Sequence, residues 1–243
     1  MKLGNPIEVA PGLHQLRAFG ARVTVLSAGD DALLIDAGSR GSAALIVSGL
    51  RALRLRPEQV STIAITHHHP DHAGGLAQVV EWTNARVAAH RLDAGVIGGA
   101  EQWPDPRKGG LVARVARSVV RALSSRPVTV DIQLEDGDVL PFAEEVRVVH
   151  TPGHTLGSIS LFIPSKGVIV IGDALQYRMR RLSPPAPRFT ADMGLAHQSL
   201  AKLLELDFDT ICFSHFPALT ENAHCELALL VERLSTRRLE WQV

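Results

Sequence analysis

Residues 66 to 75, with the sequence THHHPDHAGG, place four histidines and one aspartate within seven positions. Neutral imidazole nitrogens are good ligands for zinc and iron, and a carboxylate adds an oxygen ligand and a negative charge. Single histidines on apolar faces are usually core residues with satisfied ring nitrogens, but so many ring nitrogens close together are hard to bury without a metal. We therefore predict that this segment binds a divalent transition-metal ion.

The element before this segment determines which of its side chains can share one site. The apolar run at 60–66 predicts a strand, and alternate residues of a strand project to the same side. His67 and His69 are therefore expected to face one site. His68 faces the opposite way and is not expected to be a ligand.

A second pair of ligands follows on the other side of a turn. Pro70 ends the extended segment, because proline lacks the backbone donor that a strand needs. Asp71 and His72 then fall at the start of the next helix. The segment thus offers two pairs of ligands, one on the strand side and one on the helix side.

Three further ligand-type residues each follow an apolar run that predicts a buried strand. They are His154, Asp173 and His215, after the runs at 146–150, 168–172 and 210–214. Loops held by a rigid sheet are where chemistry is usually placed. These side chains are expected to converge at one rim with the histidine-rich segment.

Taken together, these motifs resemble those of the metallo-β-lactamase superfamily over residues of about 20 to 217. The resemblance is carried by T-H-x-H-x-D-H-x-G-G, then T-P-G-H-T-x-G-S, then G-D, then S-H, in that order. It implies two divalent metal ions, for which we expect zinc, with iron and manganese as alternatives. The implied ligands are His67, His69 and His154 for one ion and Asp71, His72 and His215 for the other, with Asp173 bridging the two.

The resemblance also implies the fold of the family, an α/β four-layer αββα sandwich formed as a single domain over residues 1–243. Asp36, in the segment LLIDAGS, matches a strand-end aspartate that supports the metal loop, although a plain turn aspartate fits the sequence almost equally well. The hydrophobic patterns predict sheets covered by helices. Predicted strands are 23–27, 32–36, 60–66, 85–90, 146–150, 158–164, 168–172 and 210–214, and predicted helices are 41–54, 74–83, 111–124, 194–206 and 223–237.

A segment at about 95–130 is predicted to be a variable, lid-like part of the domain. Trp103 and the apolar side of the helix predicted at 111–124 are expected to wall an acyl pocket or to form a dimer contact. A helix packed on the core is the plain alternative. Proline-rich residues 182–189 are predicted to form a loop.

The function implied by the resemblance is a dinuclear hydrolase, in which a hydroxide bridging two metal ions attacks an ester, thioester or lactone. Asp71 is expected to orient the hydroxide and to carry its proton to the leaving group. Tyr177 is the only tyrosine and lies four residues after Asp173. It is expected to hydrogen-bond the substrate carbonyl, with loop packing as the alternative role.

Other activities on the same scaffold remain open. An iron-dependent oxidoreductase of the persulfide dioxygenase kind would use the same ligands, and so would a phosphodiesterase or nuclease. A metallo-β-lactamase is not expected, because those enzymes are secreted and typically lack an aspartate at the bridging position. A non-catalytic metal-binding module would need a lost ligand, and none is missing.

The composition limits the partners. Lys and Arg number 25 and are balanced by 25 Asp and Glu, so a nucleic-acid partner is not expected. No apolar run is long enough for a membrane span and no signal peptide is indicated, so we expect a cytoplasmic protein without a membrane partner. Two cysteines are too few for a disulfide framework and are expected to be buried. The expected partner is a small-molecule substrate, with a homodimer as a further option.

Overall fold

The structure is a computed structural model that describes residues 3–102 and 124–240, with side chains described as far as residue 236. The chain forms two compact units, each with its own sheet and its own apolar core. Unit 1 consists of Met1–Leu134 and Pro141–Ala143, and unit 2 of Glu135–Leu140 and Glu144–Val243. The single domain predicted for residues 1–243 stays a prediction.

Most of the predicted lid lies outside the described residues. This applies to Trp103 and to the helix predicted at 111–124, apart from residue 124 itself. The predicted acyl pocket and dimer contact at this segment therefore stay predictions.

Unit 1 contains a seven-stranded sheet in the order β1-β2-β3-β4-β5-β6-β7. The strands are β1 Pro6–Ala10, β2 Leu13–Arg17, β3 Arg22–Ala28, β4 Asp31–Ile35, β5 Val60–Ile65, β6 Arg86–His90 and β7 Ile132–Leu134. Strands β1 to β4 pair antiparallel, whereas β4 to β7 pair parallel. The carboxyl ends of the parallel strands meet at one edge, so the residues that follow β4, β5 and β6 are neighbours there.

Helices cover the sheet of unit 1 by burying one apolar face each. They are α1 Ala43–Ala52, α2 Pro70–Ala73, α3 Leu76–Thr83 and α4 Arg91–Ile97, with a short 3₁₀ helix at Pro57–Gln59. Ile46 and Leu50 of α1 are fully buried, as is Leu76 of α3, in the same core as Ile63 and Ile65 of β5. This burial fixes the strand whose end carries the histidine-rich segment.

Unit 2 contains a four-stranded sheet in the order β13-β10-β9-β8 and a separate hairpin, β11-β12. The strands are β8 Arg147–His150, β9 Ile159–Ile163, β10 Val168–Val170, β11 Gln176–Arg178, β12 Arg181–Ser183 and β13 Thr210–Cys212. This unit also has two longer helices, α5 Met193–Leu203 before β13 and α6 Ala223–Glu240 after it, and 3₁₀ turns at Pro164–Lys166 and Pro187–Phe189. Strands β10 and β13 run parallel, so both end at the same edge of their sheet.

Each of the eight predicted strands is present within one or two residues of its predicted bounds. Strands β1, β2, β7, β11 and β12 and helix α4 were not predicted, and β12 takes up the start of the loop predicted at 182–189. Cys212 is buried as expected, but the expectation was wrong for Cys225, which is exposed on α6. Among the described residues, no helix combines the length and apolar character needed to cross a bilayer.

Candidate functional site

The segment after β5 brings His67 and His69 together. One possible ligand atom of each lies within 4.8 Å of the other, and the ring centroids are 4.7 Å apart in a T-shaped arrangement. His67 is buried and His69 half-buried. His69 also begins α2, where its carbonyl accepts hydrogen bonds from the backbone N–H groups of His72 at 2.9 Å and Ala73 at 2.8 Å.

The first turn of α2 holds the second predicted pair. Pro70 occupies the first helical position, where a missing backbone donor costs nothing. Asp71 Oδ2 lies 3.9 Å from His72 Nε2. The Asp71 side chain is 38% exposed whereas His72 is fully buried, so the carboxylate of this pair is open to solvent or substrate.

Asp36, directly after β4, links its own strand end to the histidine-rich segment. It is buried and adopts a φ of 67°, a conformation in which aspartate is more common than most residues. Its Oδ1 accepts the backbone N–H of Thr66 at 2.8 Å, and its Oδ2 lies 2.8 Å from His72 Nδ1. A carboxylate can only accept, so His72 carries its proton on Nδ1 and presents the lone pair of Nε2. These contacts agree with the supporting role expected for Asp36.

Thr66 extends this arrangement to His67. Its hydroxyl donates to the Asp36 carboxylate, with Oγ1 at 2.9 Å from Oδ1 and 3.0 Å from Oδ2. The same oxygen lies 3.1 Å from His67 Nδ1, and with its only proton on Asp36 it acts there as the acceptor. His67 therefore also holds its proton on Nδ1 and offers Nε2 as a ligand.

His68 contacts a residue that sequence reasoning missed. Its backbone N–H donates to Asp93 Oδ2 at 2.8 Å, and its ring Nδ1 lies 2.9 Å from the same oxygen. Asp93 lies on α4, 25 residues further along the chain. No local pattern shows such a pairing, but a buried histidine beside a metal motif is a reason to look for a buried carboxylate.

In unit 2, His154 lies in a turn that depends on a glycine. Gly153 has a φ of 138°, and a Cβ there would lie 2.4 Å from the backbone nitrogen of Ala196 on α5. The buried His154 ring places Nδ1 3.5 Å from Thr190 Oγ1 and Nε2 3.5 Å from Asp173 Oδ2. Thr190 is a second contact that the sequence did not reveal, since it is 36 residues away.

Asp173 lies beside two of the predicted ligands of unit 2. Its carboxylate oxygens are 3.1 and 3.2 Å from Nε2 of His215, in addition to the contact with His154. Asp173 follows β10 and His215 follows β13, the parallel pair of this sheet. A carboxylate with a histidine on each side has the arrangement that a bridging ligand needs.

Tyr177 lies on β11 and is half-buried. Its ring stacks on Phe213, with centroids 5.6 Å apart and planes at 10°. It packs against the apolar core of unit 2. The predicted hydrogen bond from its hydroxyl to a substrate carbonyl stays a prediction.

The donor chemistry of both units fits borderline divalent ions such as zinc. Unit 1 supplies His67, His69, Asp71 and His72, and unit 2 supplies His154, Asp173 and His215. Imidazole nitrogens with few carboxylates suit zinc and iron better than magnesium or calcium, which prefer oxygen. The Nδ1 protons of His67 and His72 leave the buried Nε2 atoms to offer their lone pairs, which is typical of metal-bound histidine.

Comparison with known proteins agrees with the motif order. The family model described as the metallo-beta-lactamase superfamily matches residues 16–215. The probable metallo-hydrolase YflN of Bacillus subtilis is 32% identical over 254 aligned residues, covering 97% of this chain and 96% of that protein. A hydroxyacylglutathione hydrolase of Cereibacter sphaeroides is 31% identical over 169 residues, covering 68% of this chain but only 52% of its own length. The chain thus spans about half of this second relative.

Solved structures show the fold. A metallo-beta-lactamase family protein of Thermus thermophilus superposes with a TM-score of 0.74 at 22% identity, covering 96% of this chain and 81% of that one. The subclass B3 metallo-beta-lactamase BJP-1 of Bradyrhizobium japonicum gives a TM-score of 0.71 at 19% identity, covering 98% and 93%. The predicted α/β metallo-β-lactamase fold is confirmed, and the chain belongs to the metallo-β-lactamase superfamily.

Proposed function

We propose that this chain is a dinuclear metal-dependent hydrolase of ester, thioester or lactone bonds. The two sets of ligands would act together on two divalent ions, with zinc as the expected metal. One ion would be held by His67, His69 and His154, the other by Asp71, His72 and His215, and both by Asp173. The observation that carries the proposal is the hydrogen bonding of Asp36 and Thr66, which leaves Nε2 of His72 and His67 as ligands.

The relatives support hydrolysis and favour an acyl substrate. YflN is named a probable metallo-hydrolase, and the Cereibacter sphaeroides relative is named for a hydroxyacylglutathione, which is a thioester. Because the chain spans about half of the second relative, the glutathione part of that substrate is not carried over. Likeness to β-lactamases rests on structures below 25% identity and supports no β-lactam substrate.

Divalent ions held by these residues would supply Lewis acidity and would lower the pKa of a water molecule toward neutrality. The protein contributes the positioning. Asp36 and Thr66 hold protons on Nδ1 of His72 and His67, so neither ring can turn its Nε2 away without losing a buried hydrogen bond.

Asp71 is the proposed proton carrier. Its carboxylate is 38% exposed, unlike the buried Asp36, so it can exchange a proton with a water molecule or a leaving group. Tyr177 is the proposed donor to the substrate carbonyl. Its ring is held by Phe213, which would limit the directions in which the hydroxyl can point.

Metal analysis of the purified protein combined with a hydrolysis panel tests the proposal. We expect about two zinc ions per chain and turnover of lactones, thioesters or esters, with little turnover of phosphodiesters and β-lactams. His67→Ala should lower metal content and reduce kcat/KM by at least about 100-fold. The matched control is His197→Ala, because His197 is half-buried on α5 and lies outside every motif.

Two results would replace this function by another. Bound iron with oxygen consumption on addition of a persulfide would show a dioxygenase instead. Turnover confined to phosphodiesters would show a phosphodiesterase. A metal-loaded protein that hydrolyses no member of the panel would contradict the proposal outright.

A further inference from the structure

The contact between His68 and Asp93 joins α4 to the segment that carries the metal ligands. His68 stands between His67 and His69 in the chain, yet it is not one of the proposed ligands. We propose that Asp93 is a positioning residue for this segment, which fixes residue 68 and thereby aims His67 and His69 at one metal ion. This inference rests on the metal site proposed above.

The contact is short, double and buried. Oδ2 of Asp93 accepts the His68 backbone N–H at 2.8 Å and lies 2.9 Å from His68 Nδ1. The two side chains are only 4% and 2% exposed. The hydrogen bond is the one from the His68 backbone N–H, and the ring nitrogen lies at ion-pair distance from the same oxygen. Asp93 therefore constrains the backbone at residue 68.

Fixing residue 68 has a direct consequence for its two neighbours. Residue 68 lies in a bend of the chain after β5, between His67 and His69. The possible ligand atoms of these two neighbours lie within 4.8 Å of each other, so their approach depends on the backbone at residue 68 that Asp93 holds. A rotation of the backbone at residue 68 would move both ligands.

Asp93 is itself held in place by the sheet. Helix α4 starts at the end of β6, and His90 caps it by accepting the Leu92 N–H at 3.3 Å. Strand β6 pairs with β5 up to Ile65 and Ala89, one residue before Thr66 and His90. The carboxylate thus sits on a short helix tied to the strand next to the one that bears the ligands.

Asp131 provides a matched control for this role. Its Oδ2 accepts the Val87 N–H at 2.8 Å, so it is also a carboxylate that holds a backbone donor in unit 1. Val87 lies on β6 and carries no ligand. Replacing Asp131 by Asn therefore makes the same change, loss of the charge with one acceptor oxygen kept, without touching the proposed metal segment.

The test is a chelator-competition titration of zinc with the full-length chain. Asp93→Asn keeps the shape and one acceptor oxygen but loses the charge, and Asp93→Ala loses both. We expect one of the two zinc-binding steps to weaken about 10–100-fold in these variants while the other step changes by less than about 3-fold. Asp131→Asn should leave both steps within about 2-fold of the unmodified chain.

A merely structural role would give a different pattern. It would lower the Tm of the metal-free protein and weaken both zinc steps together, as any loss of folding stability does. The absorption spectrum of the cobalt-loaded protein is a further readout, because a change in ligand placement alters its d–d bands. We expect altered bands for Asp93→Asn and unchanged bands for Asp131→Asn.

The outcomes separate this inference from the proposed function. If the unmodified chain binds no zinc, the proposed function fails. If it binds two zinc ions and Asp93→Asn behaves like Asp131→Asn, the positioning role is wrong and the proposed function stands. Should Asp93→Ala not fold, Asp93→Asn and His68→Ala decide, and unchanged zinc binding and cobalt bands in both would overturn the role.

Discussion

At the scale of single residues, the Asp36 carboxylate connects the end of β4 to the ligand-bearing segment after β5. It accepts from the Thr66 backbone, the Thr66 hydroxyl and the His72 ring. Burying an ionised carboxylate is costly unless hydrogen bonds compensate, and here three donors do so. Asp36, placed after a parallel strand, thus holds the ligand-bearing residues in position and does not itself take part in the proposed chemistry.

Asp36→Asn removes the charge of this side chain and nearly keeps its shape, so the variant tests the contribution of the charge. Asparagine tolerates the φ of 67°, so the backbone is not strained. Its single acceptor oxygen cannot serve both Thr66 and His72, which should cost about 1–3 kcal/mol in unfolding free energy. Zinc affinity should fall about 10–100-fold. Denaturant unfolding of the metal-free chain and chelator competition measure the two effects.

The control for this variant is Asp138→Asn. Asp138 Oδ2 accepts the Glu135 N–H at 2.8 Å in an exposed turn, remote in sequence from every ligand. Its zinc affinity should match that of the unmodified chain. Equal zinc affinities for Asp36→Asn and Asp138→Asn would show that Asp36 does not support the ligands.

Tyr177→Phe tests the proposed carbonyl donor. Phenylalanine keeps the stacking on Phe213, so the fold should be preserved. Loss of a hydrogen bond to the reacting carbonyl should reduce kcat/KM by about 10-fold or more. Steady-state kinetics on a lactone and a thioester provide the measurement, and unchanged values on both would leave Tyr177 with a packing role only.

At the scale of elements, the turn between β8 and β9, which packs against α5, determines where His154 lies. Gly153→Ala would place a Cβ 2.4 Å from the Ala196 backbone nitrogen at a φ of 138°. We expect a loss of about 1–3 kcal/mol in unfolding free energy, and a weaker zinc site because His154 must shift with the turn. Thermal unfolding with and without zinc measures both.

Gly137→Ala is the control for backbone strain alone. Gly137 also has a positive φ, of 83°, but a Cβ there meets nothing within 4 Å. The Gly137→Ala variant should lose less unfolding free energy than Gly153→Ala and should keep its zinc affinity. If Gly153→Ala were as stable as Gly137→Ala and bound zinc as tightly, this would show that the start of α5 shifts readily to make room for the added Cβ.

The loop after β7 provides a prediction about pH. Burial alone would raise the pKa of Asp136, but hydrogen bonds from the Lys202 ammonium and the His150 backbone N–H, with the charge of Lys202, outweigh it. The pKa is therefore lowered, and the ion pair stabilises the folded chain above the ordinary carboxyl pKa. This contribution is lost as the pH falls through the lowered value.

Asp136→Asn isolates that contribution. Because the Asp136 side chain is 50% exposed, the variant should lose less than about 1 kcal/mol near pH 7, and less at high salt. Below the lowered pKa the two proteins should be equally stable. Urea unfolding at several pH values measures the difference, and a gap that stays constant into acid would contradict the role of the charge.

Elements whose residues are apolar throughout could be predicted from the sequence. Elements with an unusual turn or with a glycine inside a short helix were missed. Strands β10 and β13 were predicted because VIV and TIC are apolar, β-branched runs. The β11-β12 hairpin was missed because Met179 and Arg180 take positive φ values without the Asn-Gly signal of such turns. Helix α4 was missed because it is short and has Gly95 in its interior.

The same distinction applies to the site. Ligand candidates such as His154 and Asp173 could be predicted because they follow buried strands. Partners such as Asp93 for His68 could not, because they lie far along the chain and only folding brings them together. A sequence pattern can indicate that a side chain requires a hydrogen-bond partner, whereas the fold determines which residue that partner is.

At the scale of the whole molecule, the proposed activity requires that the ligands of unit 1 and unit 2 bind the same metal ions. Family membership and the ligand types in each unit support this requirement. The cytoplasmic location and the homodimer stay predictions and do not affect it.

Anomalous diffraction at the zinc absorption edge, on crystals grown with zinc, tests this central claim most directly. We expect two peaks per chain, one bound by His67, His69 and His154 and the other by Asp71, His72 and His215, with Asp173 on both. Peaks whose ligands come from one unit alone, or a single zinc at unrelated residues, would contradict it.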